Sequence, residues 1–293
     1  MRVAAASHPE HTLCLLFNHA GHPNVMSGDN LFLSADYPGA ACRRLEQEWG
    51  GLALFVNGAQ GSVDIDGLRH RDWEGVERAG EALAQAVSEA ANGIPLEGFQ
   101  IPDSRFQMRE EGARGERDSS APAWPRVLGP PAVGMTRSGI HGASQTFTIP
   151  ARSITKAEWE WAEQVLAHTG GRVEPMADGV GDDYKAVLYR RLRESAGKAV
   201  ALEQSCFALG DTAFLTVPCE LYTEIGLRLK AQSPFPRTLI MGLANGNLGY
   251  VPTRKAISEG GYAEDTRGLD DSAEDLLTAA SLDLLRRVHE MKE

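Results

Sequence analysis

Two short apolar runs on either side of a helical pattern constrain the fold of this chain most strongly. The runs are TLCLLFN at residues 12–18 and GLALFVNG at residues 51–58. Continuous apolar runs of this length are typical of strands that are covered on both faces. The segment between them, PGAACRRLEQEWG, places Ala, Leu and Trp at helical spacing and has a proline suited to a first turn. The sequence therefore predicts a βαβ arrangement near its start.

Later patterns extend this arrangement to a mixed fold. Helical periodicity recurs at residues 72–91, in SITKAEWEWAEQVLAH, in DDYKAVLYRRLRESA and in the final SAEDLLTAASLDLLRRVHEMK. The segment AVALEQSCFALGDTAFLTVP predicts a β-hairpin that turns at Gly210 and Asp211 and leads into a helix beginning near Glu220. TLIMGLANGN predicts a further core strand. We expect an α/β fold in which a mixed, largely buried β-sheet is flanked by helices.

The domain organisation follows from length and from one region without periodicity. A chain of 293 residues can form one large domain, and we expect a single domain over residues 1–293. Residues 101–142 are rich in Pro, Gly, Arg and Ser and have no sustained periodicity, which predicts a surface excursion or lid within that domain.

Charge and composition exclude several classes of partner. The 29 basic and 40 acidic side chains give a net charge of -11, which predicts no nucleic-acid partner. No apolar run approaches the roughly 20 residues of a membrane span, and the start lacks the apolar core of a secretory signal. We therefore expect a cytoplasmic protein without membrane insertion. The four cysteines form no CxxC pair, which indicates free thiols, and the sequence leaves homo-oligomerisation open.

Polar residues gather after four of the predicted strands, where open α/β sheets place their ligands. A neutral imidazole at a strand end is a good zinc ligand, which favours His22 or His19. A hydrogen-bonded structural histidine is the alternative at each position. Glu220 follows Pro218 at a strand-to-helix junction, where it either reaches a ligand or favours the dipole of a helical first turn.

The tyrosines and aspartates of these strand ends also have two interpretations each. Tyr250 and Tyr262 flank a turn-rich span, and a tyrosine can bind metal as phenolate or donate to an oxyanion. Packed aromatic residues are the alternative. Asp64, in GAQGSVDID, either faces the site or caps the segment that follows.

Taken in order, the four strand ends resemble motifs of the catalytic domain in the neutral/alkaline non-lysosomal ceramidase family. FNHAGHPNVMSGDNLFLSADYPG is similar to the family's histidine-bearing strand, and FVNGAQGSVDI is similar to its Asn-Gly-x-x-Gly loop. VPCELYTEIGLRLK resembles its Pro-x-Glu segment, and ANGNLGYVPTRKAISEGGYAED resembles its late tyrosine-bearing loop. The resemblance extends from about residue 10 to residue 267, and the order of the motifs makes it specific.

Members of that family are zinc amidases in which a metal-bound water attacks an amide carbonyl. The resemblance implies that His22, Glu220 and Tyr250 hold Zn²⁺ and that Tyr262 donates to the oxyanion. It also implies that Asp36 supports catalysis by orienting the ligands from behind, a role that His19 could share. The implied substrate is a small or lipid-like amide, which would connect the chain to sphingolipid metabolism.

Two departures from the family pattern matter. The family's first histidine ligand lies in a Thr-His-x-His-like motif that is absent here, so the chain is N-terminally short against that pattern, and His8 and His11 stand in a different setting. Asp64 stands where the family has a serine, which makes it a candidate substrate-binding residue. A non-catalytic binding or scaffold relative with an incomplete metal site is therefore one alternative. A metal-independent hydrolase with Asp64 or Asp36 as base is another.

Overall fold

The structure is a computed structural model that describes residues 1–5, 8–26, 28, 30–65, 71–92, 140–176 and 179–291. Its strands are β1 (Arg2–Ala5), β2 (His8–His19), β3 (Leu52–Asn57), β4 (Ile140–Pro150), β5 (Ala199–Leu209), β6 (Thr212–Val217), β7 (Glu220–Leu221), β8 (Arg237–Gly242) and β9 (Tyr250–Val251). Its helices are α1 (Asp36–Trp49), α2 (Trp73–Asn92), α3 (Lys156–Thr169), α4 (Asp182–Ser195), α5 (Thr223–Gln232), α6 (Arg254–Glu259), α7 (Tyr262–Thr266) and α8 (Ala273–Glu290). The predicted mixed α/β fold is confirmed.

The N-terminal βαβ prediction is confirmed. β2 pairs in parallel with β3, from Cys14 opposite Leu52 to His19 opposite Asn57, and α1 forms the crossover. β1 completes this sheet in the order β1-β2-β3. The sheet is covered by helices on one face, while Leu52 and Leu54 on its other face are 61% and 44% exposed. The expectation that both strands are covered on both faces is therefore wrong for β3.

The second sheet has the order β4-β5-β6-β8. β5 and β6 form the predicted antiparallel hairpin, and β6 pairs in parallel with β8. Alternate residues of these strands pack with the inner faces of α5 and α8 in the largest buried apolar cluster, which includes Leu215, Ile240 and Leu284. This cluster is the main core of the molecule.

The helices α3 and α4 pack against each other rather than form that core. They share a separate apolar cluster around Ala162, Ala186 and Leu192. Residues 101–139 of the predicted surface excursion lie outside the described residues, and residues 140–142 belong to β4. Among the helices that the structure describes, none is both long and apolar enough to cross a bilayer.

Glu220 does not begin a helix. It lies in the two-residue strand β7, which pairs in parallel with β9 so that Glu220 is opposite Tyr250. The helix α5 starts three residues later, at Thr223. The interpretation of Glu220 as a first-turn residue that favours the helix dipole is therefore wrong. The pairing with β9 is formed by residues distant in sequence, and local pattern does not reveal it.

Candidate metal centre

The ends of two parallel strand pairs meet at the candidate site. His22 follows β2, and the loop with Gly61 and Asp64 follows β3. Glu220 follows β6, and Tyr250 follows β8. Because the carboxyl ends of parallel strands lie at the same edge of a sheet, each pair delivers two segments to one place.

The orientation of His22 is fixed by backbone contacts. Its Nδ1 donates a hydrogen bond to the carbonyl oxygen of Val63 at 2.8 Å, and its backbone N–H donates to the same oxygen at 3.2 Å. An imidazole that donates one ring N–H to a carbonyl presents the other nitrogen to a ligand in a single orientation, as is usual for metal-binding histidines. The other ring nitrogen, Nε2, points at Glu220 and Tyr250.

Two oxygen atoms lie close to His22 Nε2. Oε2 of Glu220 is 2.9 Å away, and the hydroxyl oxygen of Tyr250 is 3.2 Å away. The side chains of His22 and Glu220 are only 18% and 16% exposed. Counting only His, Cys, Asp and Glu, the described part of the chain contains no group of three that could hold a metal ion. The third donor of this cluster is thus a phenol.

The cluster fits a zinc ion by chemistry and by spacing. Ligand atoms held about 2.0 Å from a tetrahedral zinc lie about 3.3 Å from one another, close to the two separations found here. With the Nδ1 proton given to Val63, a neutral His22 offers a lone pair to the lone pairs of a carboxylate. Such an arrangement requires a cation or a proton between the two atoms. Imidazole nitrogen and carboxylate and phenolate oxygen are donors that zinc accepts.

The charges around the cluster shift its pKa values. The pKa of His22 is raised, mainly by its hydrogen bond to Glu220. Burial opposes this shift, while the Val63 carbonyl and the charge of Asp64 add to it. Burial raises the pKa of Tyr250, and the charge of Glu220 raises it further. In the metal-free protein Tyr250 is therefore a neutral phenol, and a cation is needed to draw the proton from it.

Tyr262 stands next to this cluster. Its ring meets the ring of Tyr250 edge to face, with 5.6 Å between the centroids, and it is 49% exposed. It is the first residue of α7 and follows Gly261, whose φ of 128° is unfavourable for other residues. The second predicted tyrosine is thus brought to the open side of the candidate site.

Asp36 lies behind the loop that carries His22. Its two carboxylate oxygens accept hydrogen bonds from the backbone N–H groups of Val25 at 3.2 Å, Met26 at 2.9 Å and Tyr37 at 2.7 Å. It is 7% exposed and has a φ of 51°. These contacts tie the segment that follows His22 to the start of α1.

Asp64 and the other candidate histidines have different settings. Asp64 is exposed, and its Oδ1 accepts a hydrogen bond from Asn24 Nδ2 at 2.9 Å. Burial alone would raise the pKa of Asp64, but the hydrogen bonds from Asn24 and the Ile65 N–H, together with the His22 charge, lower it. His19 meets the ring of Tyr37 edge to face at 6.1 Å, and burial lowers its pKa. His11 lies toward the opposite end of β2 from the site.

Sequence reasoning missed two supports of the site. Tyr37 donates its hydroxyl proton to the Gly21 carbonyl oxygen at 3.0 Å, next to His22. Gly61 packs so closely on the backbone of Glu220 that a Cβ at Gly61 would lie 2.4 Å from the Glu220 carbonyl oxygen. The Gly61 N–H also donates to Leu221 at 2.8 Å. The glycine of the Asn-Gly-x-x-Gly pattern was the available signal for this close approach.

Comparison with solved structures identifies the fold. The chain matches the crystal structure of neutral ceramidase from Pseudomonas aeruginosa with a TM-score of 0.59 and 14% identity, covering 98% of this chain and 46% of that one. It also matches a structure described as ceramidase complexed with C2, with a TM-score of 0.59 and 12% identity, covering 98% and 47% of the two chains. The chain thus has a ceramidase-like fold and spans about half the length of these neighbours.

Sequence comparisons add no closer assignment. No protein-family model matches the chain, and no curated protein matches it by sequence. At 12–14% identity the structural likeness defines the fold alone.

Proposed function

We propose that this protein is a zinc-dependent hydrolase that cleaves an amide (N-acyl) bond in a small or lipid-like substrate. The observation that carries the proposal is the convergence of Glu220 and Tyr250 on His22 Nε2 while His22 Nδ1 is held by Val63. The ceramidase-like fold supports the same reaction class.

Each residue of the site has a part in this proposal. His22, Glu220 and Tyr250 would hold the zinc ion. The chemistry that a bound zinc supplies is a lower pKa for a water molecule, toward about 7, and polarisation of the amide carbonyl. Tyr262 donates its phenol proton in a hydrogen bond to the oxygen on which negative charge develops. Asp36 keeps the His22 loop in place through backbone hydrogen bonds.

Asp64 is the proposed contact for a polar group of the substrate. It is exposed beside His22, and its Oδ1 accepts hydrogen bonds from Asn24 and from the Ile65 N–H. A carboxylate in this position is suited to accept a hydrogen bond from a hydroxyl or amide N–H group.

Elemental analysis of purified protein tests the metal assignment. We expect about one zinc per chain in the wild type and a large loss in His22→Ala and Glu220→Ala. The matched control is His289→Ala. His289 lies in the C-terminal helix α8 and packs on the ring of Phe235, so its replacement should not change the zinc content. Equal zinc in all four proteins would defeat the proposal.

Hydrolysis of N-octanoyl-4-nitroaniline, followed by release of 4-nitroaniline, tests the reaction. Tyr262→Phe should retain zinc and lose rate, because the phenol hydroxyl acts on the developing oxyanion and not on the metal. Removal of one oxyanion donor in other enzymes costs about 100- to 1,000-fold in kcat. Zinc loss in Tyr262→Phe would contradict this division of roles.

A non-catalytic relative is the second candidate. It is favoured by the direct hydrogen bond between His22 and Glu220, since a protonated His22 satisfies the carboxylate without a metal ion. Absence of zinc from both wild type and His22→Ala, together with full stability in a chelator, would support this candidate.

A further inference from the structure

The short helix α7 is held at the end opposite Tyr262 by a buried cation. Nη1 of Arg152 donates hydrogen bonds to the carbonyl oxygens of Glu264 and Asp265, each at 3.0 Å. The Arg152 side chain is 6% exposed, and its Nη2 pairs with Glu158 at the start of α3. A helix of five residues makes too few internal hydrogen bonds to be stable alone, so its position depends on contacts such as these.

A second cation fixes the same helix from α4. Nζ of Lys185 donates to Oδ2 of Asp265 at 2.6 Å. The Arg152 guanidinium also lies over the ring of Tyr189 on α4, 5.5 Å from its centroid. α7 is thereby attached to the α3–α4 pair at its C-terminal end, while Tyr262 at its first residue contacts Tyr250.

We propose that Arg152 and Lys185 are positioning residues for Tyr262. By attaching α7 to the α3–α4 pair, they hold the Tyr262 ring against Tyr250 at the edge of the candidate metal centre. The inference rests on the proposed function, which gives Tyr262 its role. It assigns a part in the site to two helices that do not themselves contribute a metal ligand.

The chemistry of the two cations sets the choice of variants. A guanidinium is planar and donates in fixed directions, so Arg152 can bind two adjacent carbonyls and a carboxylate at once. A lysine at this position keeps the charge and loses that geometry. Lys185→Met removes the ion pair between α4 and α7 at a partly buried position, and it provides a test if Arg152→Lys does not fold. Arg287→Met is the matched control, because Arg287 pairs with Asp283 on α8.

The first readout is independent of zinc and of activity. With 3-fluorotyrosine incorporated at position 262, the fluorine NMR signal reports the surroundings of that ring. We expect the signal to shift or broaden in Arg152→Lys and in Lys185→Met and to stay unchanged in Arg287→Met. If Arg152→Lys and Lys185→Met both fold and give the wild-type fluorine spectrum, the inference is overturned.

The second readout is the kcat for N-octanoyl-4-nitroaniline in the zinc-loaded enzyme. We expect a loss of tenfold or more in Arg152→Lys and Lys185→Met, with zinc content and KM within about twofold of the wild type. A positioning effect must disappear when Tyr262 is already phenylalanine, because the group to be positioned is then absent. A loss that is equally large in the Tyr262→Phe background would show that the cations act elsewhere and would overturn the inference.

The two readouts separate failure of this inference from failure of the proposed function. An unchanged kcat in Tyr262→Phe would remove the catalytic role of Tyr262 and so overturn the proposed function at that residue. The fluorine spectra would still decide whether Arg152 and Lys185 fix the ring.

Discussion

Replacement of Gly61 by alanine should move Glu220 away from His22. A Cβ at Gly61 would lie 2.4 Å from the Glu220 carbonyl oxygen and 2.9 Å from its carbonyl carbon. Since ordinary van der Waals contact begins at about 3.4 Å, the two backbones must separate by about 1 Å. The same movement lengthens the hydrogen bond from the Gly61 N–H to Leu221, which is 2.8 Å in the wild type.

The expected effect has a stability part and a binding part. Overpacking of this kind costs about 1–3 kcal/mol. For a domain of this size each kcal/mol lowers Tm by about 2–4 °C. Mutation of a group that positions a metal ligand costs about 10- to 100-fold in metal affinity. We therefore expect Gly61→Ala to fold, to have a lower Tm, and to bind zinc roughly 10- to 100-fold more weakly than the wild type.

Competition with a fluorescent zinc chelator measures the affinity, and calorimetry measures Tm. The matched control is Gly142→Ala in β4, where a Cβ would lie 2.7 Å from the Cys206 carbonyl oxygen in the second sheet. This variant should lose similar stability and keep its zinc affinity. Wild-type zinc affinity in a destabilised Gly61→Ala would refute the reasoning. An equal loss of affinity in Gly142→Ala would show that general destabilisation, and not the position of Glu220, is responsible.

Three further predictions concern the supports of the site and the core. Asp36→Asn should lower the free energy of unfolding by about 1–3 kcal/mol in urea, because three backbone N–H groups lose a charged acceptor; an unchanged value would contradict this role. Asn18→Ala should lower the free energy of unfolding by about 1–3 kcal/mol in the same assay, since Asn18 Nδ2 donates to the carbonyl oxygens of Val56 and Ile240. An unchanged free energy of unfolding would contradict this role of Asn18. Burial raises the pKa of Cys206 and of Cys219 to about 12, so neither thiol should react with a disulfide reagent at pH 8 until the protein unfolds, and rapid labelling of either in the native state would contradict this burial.

The sequence predicted the fold where local pattern and tertiary environment agree. The apolar runs around α1 became a parallel pair, and the turn at Gly210 became a hairpin. The error at β3 has a different cause. Leu52 and Leu54 are apolar residues on an uncovered sheet face, and a continuous apolar run does not distinguish that case from full burial.

The position of four candidate site residues after predicted strands indicated that they lie close together, but it did not predict which side chains contact one another. His22, Glu220, Tyr250 and Tyr262 form a continuous group. The place of Glu220 in β7 depends on a pairing with a residue thirty positions later. No periodicity encodes such a pairing, and the helical pattern after Glu220 therefore extended one turn too far toward the N-terminus.

The candidate site is built from two separate sheets. β2 and β3 belong to one sheet, and β6 and β8 belong to the other, so a close approach of the sheets is required. Asn18 in β2 supplies one link, because its Nδ2 donates to carbonyls of both β3 and β8. Gly242 at the end of β8 permits the approach, since a Cβ there would lie 2.4 Å from the Gly58 carbonyl oxygen. The contacts of Asn18 and Gly242 thus help to bring the two sheets close enough for His22 and Glu220 to meet.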